Sequence, residues 1–280
     1  MKRHTDALRP EDYLEPQCLL CDPPYGAEPA VKSIPQQRVQ EKLDDYMSRR
    51  DYEGAERHLL YWLQEAQLGH DLRGELMVRG ELVGHYRKAG DRDQALLHGD
   101  AALKLLPALG FTDNLSAATT YVNVATACNA FGENQRSIEL FEKAQSIYEA
   151  SPRTQPELLG GLYNNMALTL TALGRYDEAL HLYDLAMDVM AEVPAGVLEQ
   201  AITCLNRADT LVAEKGMETA ENQVYELLDQ AWELLQDPSA PHDGYYAFVC
   251  EKCAPSFSFY GYFAAAQELE DTARAIYERT

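Results

Sequence analysis

Apolar residues recur along this chain at three- and four-residue spacing, the period that gathers one stripe on an α-helix. Between Leu158 and Ala191 the stripe reads Leu162, Met166, Leu170 and Leu173, then Ala179, Tyr183, Ala186 and Met190. The interruption is Leu173-Gly174-Arg175-Tyr176-Asp177. Gly174 ends a helix there, because glycine enters the left-handed conformation without the steric cost other residues meet. Two amphipathic helices joined by so short a turn fold back as a hairpin. A single hairpin leaves its apolar face open, so the pattern must recur.

It recurs at 42 residues, at Gly132 and again at Gly90. Counted from Gly132 and Gly174, a small residue stands seven before (Ala125, Ala167) and five after (Ser137, Ala179). An aromatic follows at nine (Phe141, Tyr183) and an alanine at twelve (Ala144, Ala186). Gly90 keeps Ala95 and Ala102 at these places, with Gly99 where the aromatic would be. Small residues allow close helix approach, and the aromatic fills the space between neighbours. This pattern resembles the tetratricopeptide repeat (TPR), and its length resembles the long repeats of kinesin light chains and of Rap-type peptide receptors. The resemblance implies an all-α, right-handed α-solenoid of about six helix hairpins. It places hairpins near 37–67, 72–106, 120–150, 158–191, 197–236 and 245–279, the fifth turning near Gly216 with an insertion near Glu218–Glu221. Pro255 is expected to end the helix that carries Cys250 and Cys253.

Residues 1–36 read differently. Six of the thirteen prolines lie there, which predicts an extended Pro-rich arm, with the solenoid over 37–280. Forty-five acidic against twenty-four basic residues give a formal charge of −21, which excludes nucleic acid as a partner. No apolar run reaches the ~20 residues of a membrane span, and the N-terminus lacks the apolar stretch of a secretory signal. A cytoplasmic location is the expectation.

Enzyme motifs are missing. There is no phosphate-binding glycine loop, no GxSxG and no HExxH, and the seven histidines lack ligand spacing. The expectation is a non-enzymatic protein. Asparagines carry the functional signal instead. Asn123 and Asn165 stand nine before their glycines, and Asn206 stands two before Ala208, so the three stack at spacings of 42 and 41. In the repeats that this chain resembles, that position faces a concave groove. An amide offers both donor and acceptor, so it can hold the backbone of an extended peptide. Asn164, Thr126, Asn129 and Asp209 share the face, the last offering a carboxylate to a basic peptide residue. The alternative is that these amides satisfy neighbouring helices.

Two CxxC pairs, Cys18/Cys21 and Cys250/Cys253, supply the four thiolates of one structural zinc site. Residues 22–36, extended, span ~50 Å at ~3.3 Å each, which would let the arm close across the stack. Otherwise the pairs are unrelated dithiols or packed side chains. Two functions follow: an adaptor that binds a protein or peptide segment in its groove, or a structural solenoid whose groove its own arm fills.

Overall fold

A computed structural model describes residues 31–194 and 196–279, and the whole of the described chain is helix and connection. Twelve helices follow one another: α1 Gln36–Ser48, α2 Tyr52–Leu68, α3 Leu72–Ala89, α4 Arg92–Ala108, α5 Leu115–Ala130, α6 Asn134–Ala150, α7 Pro156–Ala172, α8 Tyr176–Ala191, α9 Val197–Lys215, α10 Met217–Leu235, α11 Gly244–Phe259 and α12 Phe263–Tyr277. They pair into six hairpins, the all-α array of TPR-like units that the periodicity predicts. The chain divides after Glu81, within α3, into two compact units.

One turn is used again and again. After α7 the Arg175 N–H returns to the Leu170 carbonyl at 2.9 Å, with Gly174 at φ 74°. The bond satisfies a carbonyl that the helix end would otherwise leave without a donor. The same closure joins Glu133 to Cys128, Asp91 to Tyr86 and Tyr262 to Phe257. In the first unit it recurs at Asp51–Tyr46 and Asp71–Ala66, where Arg50 (φ 54°) and His70 (φ 52°) take the left-handed position that glycine holds elsewhere.

In the first unit α1 and α2 bury Val39, Leu43 and Tyr46 against Leu59, Trp62 and Ala66. The buried Asp71 carboxylate caps α3 by accepting from Gly74 N–H, and it also accepts from Ile34 N–H, both at 2.9 Å. Lys32 N–H adds a bond to the Gly69 carbonyl, so residues 32–34 are pinned along the α2–α3 turn.

In the second unit the repeat positions form the seams. Ala125, Ala167, Ala179 and Ala186 are buried, with Phe141 and Tyr183 filling the gaps beside them. Gly99 shows why no aromatic stands at its place, because even a Cβ there would lie 3.2 Å from a Val124 methyl. Among the described residues, odd-numbered helices touch one another (α5 with α7, α7 with α9, α9 with α11), while even-numbered helices make at most weaker contacts with one another. This unit therefore bends toward its odd helices, whose exposed side is the inner face.

Two expectations fail locally. Pro255 does not end a helix but lies inside α11, which continues to Phe259. The residues on either side of it explain why: Ala254 and Phe257 are buried, and Trp232 meets the Phe257 ring edge-on at 5.9 Å. Packing of this kind offsets the ~3 kcal/mol that an interior proline costs a helix. There is also no insertion near Glu218–Glu221, since α10 runs unbroken from Met217. The buried Ala208 and Ala220 keep the twelve-residue separation of Ala167 and Ala179, with Gly216 alone (φ 77°) between α9 and α10 where three residues join α7 to α8.

Candidate functional site

The inner face of the second unit is built on α5, α7 and α9. Its side chains at equivalent register do not share one role. Asn123 is exposed and Asn165 half-buried, and among the described residues neither side chain makes a hydrogen bond. Asn206 stands at the same register but is engaged: its Nδ2 donates to Asn164 Oδ1 at 3.0 Å. That oxygen, on a buried Asn164, also accepts from the Thr203 hydroxyl at 3.2 Å. The Asn164 carbonyl therefore ties α7 to α9.

A second tie joins α5, α6 and α7. Asn129 Nδ2 donates to Thr169 Oγ1 at 2.5 Å. Ser137, at the five-after position where hairpin four has alanine, donates to the Ala125 carbonyl at 2.8 Å and lies 3.1 Å from the Thr169 hydroxyl. A third links Thr171 and Thr210 hydroxyls across the α7–α9 seam at 2.8 Å, with Tyr183 OH 3.5 Å from Thr210. Buried polar groups left unpaired cost ~1–3 kcal/mol each, so these seams hold only because each donor meets an acceptor. Thr126 returns its hydroxyl to Val122 of its own helix.

Asp209 reaches the last hairpin rather than open solvent alone. Its Oδ1 accepts from Tyr260 OH at 2.6 Å. Burial pushes the Asp209 carboxyl above its ordinary value, and the tyrosine bond pulls the other way. Ten residues earlier on α9, Glu199 accepts a bond from Tyr245 OH, and burial raises its pKa against the pull of Lys252.

Of the seven groove candidates, then, Asn123 and Asn165 present free amides. Asn164, Asn129, Asn206 and Asp209 hold helices together, and Thr126 bonds within its own helix. Sequence reasoning missed Arg87. It stands three before Gly90, as Asn129 and Thr171 stand three before their glycines, but among the described residues its half-buried guanidinium makes no ion pair or hydrogen bond. Burial lowers its pKa. The position level with Thr169 and Thr210 is here Ala127, which offers no acceptor. A cation at a register that the next two hairpins fill with Asn129 and Thr171 was the available signal.

The cysteine expectation divides. Cys18 and Cys21 lie outside the described residues. Cys250 and Cys253 are buried in α11 within the core shared with α9, α10 and α12. Burial pushes their thiols up to about 11 and about 12, so both are protonated near neutrality. Cys128 and Cys204 are buried too, as small apolar residues should be. Among the described residues no three His, Cys, Asp or Glu side chains converge as a metal site would require. No described helix is long and apolar enough to cross a membrane.

No protein-family model matches the sequence, and no curated protein does. Solved structures do. BtubC (BKLC) from P. vanneervenii aligns over 85% of this chain and 90% of its own, with a TM-score of 0.50 and 16% identity. TPR-like repeats assigned to a kinesin light chain of Podosopora anserina align over 72% of this chain and 94% of theirs, at TM-score 0.48 and 21% identity. At this identity the likeness to BtubC speaks for the fold alone.

Proposed function

On the premise of a TPR-like repeat fold, we propose that this protein is a non-enzymatic scaffold that holds a protein or peptide segment against the inner face of α5, α7 and α9. The fold itself suggests an interaction scaffold, because stacked hairpins create long surfaces without forming a closed cleft. One observation carries the finer reading. Asn123 and Asn165 hold equivalent places on successive inner helices with their amides unused, while the amides around them are taken up between helices. Two amides at this spacing can each exchange hydrogen bonds with an extended backbone, at ~0.5–1.5 kcal/mol apiece, and so set its register. Arg87 and Asp209 flank that pair in the repeat order and give the face one cation and one carboxylate for side-chain recognition.

A photo-crosslinking amino acid placed at position 165 tests the proposal in cells. Capture of a partner segment at 165 and 123, with none at Asp188 on the exposed side of α8, is the expected result. Equal labelling at all three positions would reject the inner face as the binding surface. Asn165→Ala should also weaken capture by about tenfold or less while stability stays within ~1 kcal/mol.

A further inference from the structure

The turn of the last hairpin breaks the rule that its predecessors follow. Two before and two after the turn glycine stand Lys88 and Arg92, then Ala130 and Asn134, then Ala172 and Tyr176, then Glu214 and Glu218. At Gly261 the same places hold Phe259 and Phe263, 78% and 70% exposed. No other phenylalanine in the described chain is as open to water. Between them Tyr262 packs its ring 6.1 Å from Tyr225 and donates its hydroxyl to Asp229 at 2.8 Å. The turn therefore exposes Phe259 and Phe263 on either side of Tyr262, whose ring and hydroxyl lie against Tyr225 and the exposed Asp229 of α10.

Its setting is strongly acidic. Helix α10 carries Glu218, Glu221, Glu226, Asp229 and Glu233, and no lysine or arginine. Aromatic faces and carboxylates side by side suit one kind of side chain above others. A guanidinium stacks on a ring while its N–H groups reach a carboxylate, and it is more weakly hydrated than an ammonium. The same charge opposes the other ways of covering exposed phenylalanines. A second copy would bring α10's five carboxylates against their equivalents, and an anionic membrane would be repelled.

We propose that the α11–α12 turn, with Phe259, Phe263, Tyr262 and Asp229, is a docking site for an arginine-bearing segment of a partner protein, separate from the inner face.

The full chain and a fluorescein-labelled octa-arginine peptide provide the test, read by anisotropy at fixed ionic strength. Replacing both rings (F259S with F263S) should weaken binding about tenfold, the scale of two guanidinium–ring contacts. Asp229→Asn, which leaves the rings in place, should weaken it about threefold, as the loss of one exposed charge would. Octa-lysine should bind the parent more weakly than octa-arginine. Both phenylalanines are exposed, so the melting curve of the double variant should match the parent and separate lost binding from lost folding. Equal octa-arginine affinity in parent and double variant would overturn the proposal, because binding would then follow net charge alone. So would light scattering that finds a dimeric parent and a monomeric variant, since a second copy would then cover the turn. Sedimentation with phosphatidylcholine vesicles that retains the parent but not the variant would overturn it in favour of lipid.

Discussion

The α5–α7–α9 seam and the α11–α12 turn begin from one repeat and use it in opposite ways. Along the seam, polar side chains point at one another across helices, and Thr169, Ser137 and Asn164 each satisfy two partners. At the last turn, the Phe259 and Phe263 side chains stand mostly in water. The backbone closure is common to both, Arg175 to Leu170 in one and Tyr262 to Phe257 in the other. Repeat geometry thus fixes where a side chain stands. What stands opposite decides whether it stabilises the stack or remains available to a partner.

The largest expected effect tests the seam's packing. Ala167 has no exposed surface, and Ala167→Leu should overpack the α7 contacts and cost ~1–3 kcal/mol, read as a lowered urea midpoint. A variant that unfolds with the parent would mean that the repeat's small positions are not the close contacts. Asn164→Ala comes next. It removes the shared acceptor of Thr203 and Asn206 and should cost ~1–3 kcal/mol, whereas Asn123→Ala should lie within ~0.5 kcal/mol of the parent. Equal losses in the two would erase the distinction between engaged and free amides.

Thiol chemistry gives a third comparison. Cys128, Cys204, Cys250 and Cys253 are all buried, so a thiol reagent should titrate no more than two of the six cysteines before unfolding exposes the rest. Faster reaction of a third would show that the helical core opens. The smallest effect is in pH. The Cys253 thiol, ordinarily near 9, is raised to about 12 by burial, so the folded state holds its proton more tightly than the unfolded chain does. Its contribution is complete below pH about 9 and is lost as pH rises toward 12, with a falling melting temperature over that window. Cys253→Ala should make the alkaline decline shallower, and an unchanged slope would assign the decline to the other buried thiols, such as Cys250, raised to about 11, and to buried tyrosines such as Tyr183, raised to about 12.

Much of this was legible in the chain itself. The 42-residue spacing of Gly90, Gly132 and Gly174 marks three turns, because a left-handed residue at a helix end is cheapest as glycine. Ala125, Ala167, Ala179 and Ala186 mark the close contacts, where each is buried between helices. These are local or strictly periodic demands, and one sequence records them. The tertiary structure decided the rest. Asn165 and Asn206 look alike in the pattern, but only Asn206 has an amide oxygen, that of Asn164, within reach. Asn129 finds Thr169 across its seam, whereas Arg87 at the same offset stands level with Ala127 and finds no acceptor. Pro255 continues a helix because Phe257 is packed beyond it, and the Cys250 and Cys253 thiols are held protonated by the helices around them. A hydrogen bond requires both partners within about 3 Å. The second partner here lies about forty residues away, on another helix, where spacing along the chain cannot report it.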